Sequence, residues 1–295
     1  AGYYKGERPV PNITQHVVNV VEVFNADPTG ESDSTEAIQA AIEQVGLTGG
    51  GVVYLPEGTF KISRRAGLSF SLRINRSGVV LRGAGRDKTF IVNTTYEMRQ
   101  AQAIQVQGSS TSWNTQRNSP LAIVRDYNGP TLELQVEDSN NLRIFNEGDW
   151  IIVWQPATNE FITELNMGPG PDGVSWLNDG GTLRGPRWLR QIKAIKGNAF
   201  TLDVPTRWKI DTRDSPVVYI ASDFLMDVGL EDFSIGNIAH PGTGWSESAY
   251  TSITNAAYDA HDSWLIRYSG VTNGWIRRVS SYGPKEQNVH ILSNG

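Results

Sequence analysis

The sequence predicts an all-β fold with one clear helix, and three observations predict it. Short β-branched and aromatic runs recur along the chain, Gly and Pro clusters punctuate them, and helical spacing of apolar residues occurs only over 34–45. Thirty Gly, nine Trp and ten Tyr among 295 residues suit a turn-rich β protein with aromatic surfaces. The formal net charge of −5 argues against a nucleic-acid partner, whose footprint is basic. There is no long apolar run, so no membrane span is expected. The absence of Cys excludes disulfides, thiol catalysis and Cys-based zinc sites.

Residues 1–16 are polar and read as an arm. Val18, Val20, Val21 and Val23 form a β-branched run read as a strand, which Asp27-Pro28-Thr29-Gly30 breaks into a polar loop. Asp33 and Glu36 have the spacing of a capping box, with Asp33 accepting from the Glu36 amide. Ala37, Ile38, Ala41, Ile42 and Val45 then make one apolar helical stripe. Gly49-Gly50-Gly51 ends the helix, Val52, Val53 and Leu55 enter a buried strand, and Thr59–Ile62 form the next. Val79-Val80-Leu81 leads to a Gly83-Ala84-Gly85 corner, and Phe90-Ile91-Val92 follows as a strand.

The words Phe24-Asn25-Ala26-Asp27-Pro28-Thr29-Gly30, Asp33-Ser34-Thr35-Glu36-Ala37-Ile38-Gln39 and Gly50-Gly51-Val52-Val53-Tyr54-Leu55-Pro56-Glu57-Gly58 resemble the opening of the pectate-lyase-like superfamily. The resemblance implies a right-handed parallel β-helix whose first rung is buried by an N-terminal capping helix, as repeat folds require. It leaves chemistry open, because the superfamily includes polysaccharide lyases, glycoside hydrolases and phage tailspikes. No diagnostic catalytic motif of these families is complete here.

Three regions follow. Residues 1–97 hold the arm, the cap and the first coils. Residues 98–220 read as a small antiparallel β insertion with no helix signal, built from Thr131–Val136, a buried run Trp150–Trp154 and a hairpin about Gly197-Asn198. A Gly/Pro loop over 168–186 interrupts it, flanked by Trp176 and Trp188, which can stack on a sugar ring or pin the loop. Residues 221–295 return to coils: Leu230 aligns with Ile276 and Phe233 with Val279, pointing into the stack. Nothing after Tyr282 has the composition of a cap. Missing C-terminal coils, or a second chain, are therefore expected to complete the β-helix. Ala1 in place of Met is what signal-peptide removal leaves, so a secreted or extracellular protein is expected.

Candidate chemistry concentrates in 237–290, where three of the four histidines lie. A lyase acting on an anionic polysaccharide needs a base near the sugar C5 proton and positive charge on the adjacent carboxylate; a hydrolase needs two carboxyls about the scissile bond. The catalytic candidates are His261, Asp262, Asp259, Arg277 and Lys285. The sugar-binding candidates are Trp176, Trp188, Trp245, Tyr250, His240 and His290. His261 also fits a structural role bonding a nearby turn. Asp259 and Asp262, at i and i+3, can share a cation, and calcium is the candidate cofactor. The leading expectation is a polysaccharide partner cleaved by β-elimination. A glycoside hydrolase and a non-catalytic carbohydrate-binding or tailspike-like module are the alternatives.

Overall fold

The computed structural model describes residues 3–6, 8–108, 119–167, 178–179, 182–222, 224–246 and 248–283. Two compact units result, Ala1–Ser112 with Asp223–Gly295, and Trp113–Ser222. The expectations at Lys285, His290 and Trp176, and the strand expected from Asn288, lie outside the described residues.

The first unit is a parallel β-helix. Its elements run β1 (Val17–Asn19), α1 (Val20–Phe24), β2 (Thr29–Asp33), α2 (Thr35–Leu47), β3 (Gly51–Leu55), β4 (Gly58–Ile62), β5 (Phe70–Ile74), β6 (Val79–Gly83), β7 (Thr89–Asn93) and β8 (Gln102–Gln107). After the second unit the chain resumes, and every pairing between coils is parallel. Strand β8 thus stacks with the coils, although sequence alone grouped residues 98–220 with the insertion.

In the second unit, β9 (Leu121–Ala122), β10 (Glu133–Gln135), β11 (Trp150–Trp154), β14 (Arg187–Lys196), β15 (Ala199–Leu202) and β16 (Val217–Ala221) form an antiparallel sheet in the order β10-β15-β14-β11-β16-β9. Between them lie α3 (Asn159–Glu164) and a two-residue pair, β12 (Asn178–Asp179) and β13 (Thr182–Leu183). Helix α3 corrects the expectation of no helix: the Thr158 hydroxyl accepts from the Phe161 amide, while Phe161 and Ile162 are buried. Trp188 is 9% exposed among Leu134, Ile151, Val153, Phe200 and Val218, so its ring belongs to this core and is not offered to a sugar. It alternates with outward neighbours on a long strand, and a period-2 pattern makes such a ring an inward residue.

The β-helix then continues through β17 (Leu225–Met226), β18 (Gly229–Asn237), α4 (Ala256–Ala260), β19 (Trp264–Ser269), β20 (Val271–Thr272) and β21 (Trp275–Tyr282). One face is β1-β3-β6 with the first half of β18; the second is β2-β4-β7 with its other half; the third is β5-β8-β19. Strand β18 turns the corner between two faces at Asp232, and β21 does so at Arg278, both in the left-handed region at φ of 63° and 52°. Leu230 pairs with Ile276 and Phe233 with Val279, the register expected from sequence. Val279 packs on the core, whereas Ile276 is 38% exposed. The interior is a stack of Leu55, Phe60, Leu72, Leu81, Ile91, Ile104, Phe233 and Ile266, all fully buried.

The cap forms differently from its local signals. The valine run yields only three strand residues before α1 begins: the Asn19 side chain accepts from the Val21 amide, and Val20 goes fully inside. Burial overrides β-propensity there. Residues 29–33, expected as loop, add β2 beside β4. Asp33 accepts from the Thr35 amide at 2.8 Å instead of from Glu36, and Glu36 pairs with Arg65. Helix α2 buries Ile38, Ala41, Ile42 and Val45 over the first coil, as its stripe requires. The first strand of each face is thereby covered. β1 pairs with β3 and β2 with β4, and the Gln39 side chain serves the edge of β5. Its Oε1 accepts the Arg73 N–H at 2.9 Å and its Nε2 donates to the Arg73 carbonyl at 3.0 Å. A side-chain amide here imitates a neighbouring strand.

The polar arm has a place too. Tyr3, Val10 and Ile13 pack on Val52, Val80 and Trp275, on the outer surface of the first face. The Trp275 indole lies where a Cβ on Gly229 would fall, 2.3 Å from the ring.

Candidate functional site

The long connection between β18 and β19, residues 238–263, gathers most of the sequence candidates that the structure describes. It sits over the corresponding connection of the coil below, residues 94–101, because β18 pairs with β7 and β19 with β8. Asn93 and Asn237 align at the start of the two connections, bonded at 2.9 Å through their side chains. Amides stacked in register, that of Asn93 fully buried, hold these loops at one height.

His240 is the inner anchor. The Gly242 amide donates to its Nδ1 at 2.9 Å, which leaves Nε2 to donate to Asp259 at 3.0 Å. Its ring meets Tyr96 and Trp245 edge-on, at centroid distances of 4.7 and 5.8 Å. Trp245 itself is 39% exposed, and Tyr250 41%. Against Tyr250 lies His261, stacked at 4.4 Å with its Nε2 3.5 Å from an Asp262 carboxylate oxygen. This second imidazole remains partly open to solvent.

Arg99 ties the two layers together. Its Nη1 donates to the Tyr250 and Tyr258 carbonyls at 3.2 and 3.0 Å, and its guanidinium lies 4.0 Å over the Tyr258 ring. Among the described residues no carboxylate pairs with it. Tyr96, Arg99 and Tyr258 did not stand out in the sequence. The available signal was the alignment of Asn93 with Asn237, which makes everything following one a neighbour of everything following the other.

The sequence candidates therefore divide. His240, Trp245, Tyr250, Asp259, His261 and Asp262 occupy one loop. Arg277 lies elsewhere, with its Nε 2.6 Å from the carboxylate of Glu231, a fully buried residue that Arg82 also reaches at 2.6 Å. A charge so engaged on the first face is a structural partner. The donor set also does not fit calcium. Asp259 is bonded to His240, Asp262 faces His261, and no group of three or more carboxylate or imidazole ligands converges among the described residues.

A family model described as rhamnogalacturonase A/epimerase, pectate lyase-like, matches residues 17–171. Alginate lyase 7 of Azotobacter vinelandii is 42% identical over 71 residues, which are 24% of this chain and 8% of that protein. The mannuronan C5-epimerase AlgE4 of the same organism is 39% identical over 71 residues, 24% of this chain and 13% of that protein. The chain thus matches only a small fraction of these relatives' lengths. Among solved structures, the tailspike gp61 of Pseudomonas phage phi297 is similar with a TM-score of 0.49 at 14% identity, over 92% of this chain and 44% of that one. The AlgE4 A-module of A. vinelandii aligns at 34% identity with a TM-score of 0.27, over 34% of this chain and 26% of that one. No described helix is long and apolar enough to cross a membrane. With more than half of its length matched, the chain belongs to the rhamnogalacturonase A/epimerase, pectate lyase-like family.

Proposed function

We propose that the 238–263 loop binds an acidic polysaccharide outside the cell and cleaves it by β-elimination, with His261 as the base. Family membership makes this a carbohydrate-acting protein, and the alginate lyase and epimerase names among its partial relatives favour uronic-acid substrates. The observation that carries the reading is the partly open His261, stacked on Tyr250, with the Asp262 carboxylate 3.5 Å from its Nε2. Asp262 favours the proton on Nε2, leaving Nδ1 to take the proton from the sugar carbon next to the uronate carboxyl. That C–H electron pair becomes the new C=C bond, the glycosidic C–O bond β to it breaks, and the departing oxygen takes back, directly or through water, the proton that His261 accepted. The Arg99 guanidinium offsets the charge that builds on the uronate carboxylate. Trp245 and Tyr250 present ring faces or edges to the sugars.

The test is a panel of acidic polysaccharides scored both by the ultraviolet absorbance of the unsaturated product and by new reducing ends. His261→Ala should lower the rate at least about a hundredfold, the typical worth of a positioned acid–base group. Binding should persist. Reducing ends without absorbance would replace elimination with hydrolysis, and an unchanged rate in His261→Ala would remove this residue from the chemistry. A binding module without turnover is the second reading, favoured by the exposed aromatics at 96, 245 and 250.

A further inference from the structure

The third face of the β-helix carries a pattern that the loop does not use. In β5 the sequence is Phe70-Ser71-Leu72-Arg73, in β8 it is Gln102-Ala103-Ile104-Gln105, and in β19 it is Trp264-Leu265-Ile266-Arg267. The parallel register places Phe70, Gln102 and Trp264 in one row across the sheet, and Arg73, Gln105 and Arg267 in another. Leu72, Ile74, Ile104, Val106, Ile266 and Tyr268 belong to the core, so the alternating residues Arg73, Gln105 and Arg267 face outward.

Each arginine lies over the aromatic ring three residues before it. Arg73 is 5.6 Å from the Phe70 centroid and Arg267 is 4.8 Å from that of Trp264. Arg73 donates from Nη2 to the Gly108 carbonyl at 2.9 Å. The Nε of each arginine is buried without a hydrogen-bond partner, and among the described residues no carboxylate pairs with either guanidinium. Both side chains are half-buried, so each keeps guanidinium N–H groups within reach of an acceptor lying along the row. Between them the floor is neutral and rigid. Gln105, 6% exposed, donates to Gln102 at 2.7 Å, and the backbone of Arg73 is held at the β5 edge by Gln39.

We propose that this row is a specificity element that reads an acidic polysaccharide lying across the strands, taking an anionic group at Arg73 and at Arg267 and a neutral sugar over Gln105. The inference rests on the polysaccharide reading above and adds to it the charge pattern of the polymer. Strands are spaced about 4.8 Å apart, so the two arginines are separated by about 9.6 Å, two strand spacings. An extended pyranose chain advances close to one strand spacing per sugar. The match is to a chain charged at every second residue. A homopolyuronate would bring an unpaired carboxylate over the neutral glutamine.

The experiment measures binding of the full chain to four polymers at fixed salt. These are hyaluronan (a carboxylate on every second sugar), κ-carrageenan (a sulfate on every second sugar), polygalacturonate (a carboxylate on every sugar) and carboxyl-reduced hyaluronan. Wild type should bind one or both of the first two more tightly than the last two, and the preference between them identifies carboxylate or sulfate as the group recognised. Arg73→Gln and Arg267→Gln should each weaken that binding at least about tenfold, the worth of one charge-assisted hydrogen bond. Both changes leave a shorter, uncharged but still polar side chain at positions already partly exposed, and a retained melting transition shows that the fold survives. Gln105→Arg should move the preference toward polygalacturonate. Arginine variants that bind like wild type, while Trp245→Ala and Tyr250→Ala weaken binding, would overturn the row and leave the loop reading standing. Tightest wild-type binding to polygalacturonate would overturn the alternating pattern. Binding to none of the four would overturn both readings.

Discussion

Glu231 is the residue whose removal the fold should tolerate least. Its carboxylate is fully buried, with Arg82 Nε and Arg277 Nε each at 2.6 Å and the Trp275 indole N–H at 3.3 Å. The three charged residues stand in register on adjacent strands of the first face, β6, β18 and β21. Glu231→Ala would leave two guanidiniums facing each other across an empty acceptor position. Breaking a buried ion pair by removing one partner costs about 3–5 kcal/mol. Both arginine side chains retain roughly a fifth of their exposure, 17% and 21%, which places the cost toward the lower end. With a urea slope of about 2–3 kcal/mol per M, the midpoint should fall by about 1–2 M. Glu231→Gln, which keeps the shape and one acceptor, should lose about half as much. Replacing Arg82, Glu231 and Arg277 together by Met, Leu and Met should be near neutral, because the desolvation penalty disappears with the attraction. The assay is urea unfolding, read beside amide exchange of β18 and β21 so that the first unit is followed by itself. If Glu231→Ala unfolds with wild type, the charge triad contributes nothing and the reasoning fails.

Three further outcomes follow from the cap and the corners. Asp27 accepts from the Thr29 hydroxyl and from the amides of Thr29, Glu31 and Ser32, and these bonds, the hydroxyl first, hold its carboxyl at about 2 against an ordinary 3.8. A depressed carboxyl stabilises the fold above its unfolded value and loses that contribution as pH falls through the folded one. Asp27→Asn should therefore be less stable than wild type at neutral pH, with the gap closing between about pH 4 and pH 2; a gap independent of pH would contradict this. Gln39→Leu should cost about 2–3 kcal/mol by stranding the N–H and C=O of Arg73 at the β5 edge, measured as a lower denaturation midpoint, and no shift would show that water serves that edge equally well. Gly229→Ala pushes a methyl group into the Trp275 ring and should cost about 1–3 kcal/mol, with altered tryptophan fluorescence; wild-type stability would mean the ring moves freely.

How much of this was legible in the sequence depends on how local each signal is. The helix at Ile38, Ala41 and Ile42 and the strands at Val53 and Phe60 carry their own periodicity, and the structure places them as expected. The pairing of Leu230 with Ile276 was readable because two coils repeat the same pattern. Val20–Phe24 was not, since a β-branched run becomes helical there only because Asn19 caps it and Val20 has a pocket to fill. Trp188 reads as exposed beside a Gly/Pro loop until its strand partners are known. Arg99 and Tyr96 precede the loop they serve by more than a hundred residues. Only stacking of the coils makes them neighbours, and no spacing rule within either segment announces it.

The insertion between β8 and β18 has a consequence for how the chain is made. Arg82 meets Glu231 across 149 residues of sequence, and Tyr3 meets Asp227 across 224. As the polypeptide leaves the ribosome, the first two coils emerge with their growing edge bare, and the next 110 residues, Trp113–Ser222, belong to a unit whose described strands pair among themselves. Closing so long a loop is slow when the loop is flexible, but its cost grows only with the logarithm of its length. A second unit that collapses on its own antiparallel pairings, seeded by the local β14–β15 hairpin, shortens the effective loop before β18 arrives. Mutations that slow this middle unit, such as loss of the Phe200 side chain, should then appear as aggregation of the unfinished β-helix during synthesis, with little change in the purified protein's affinity for sugar.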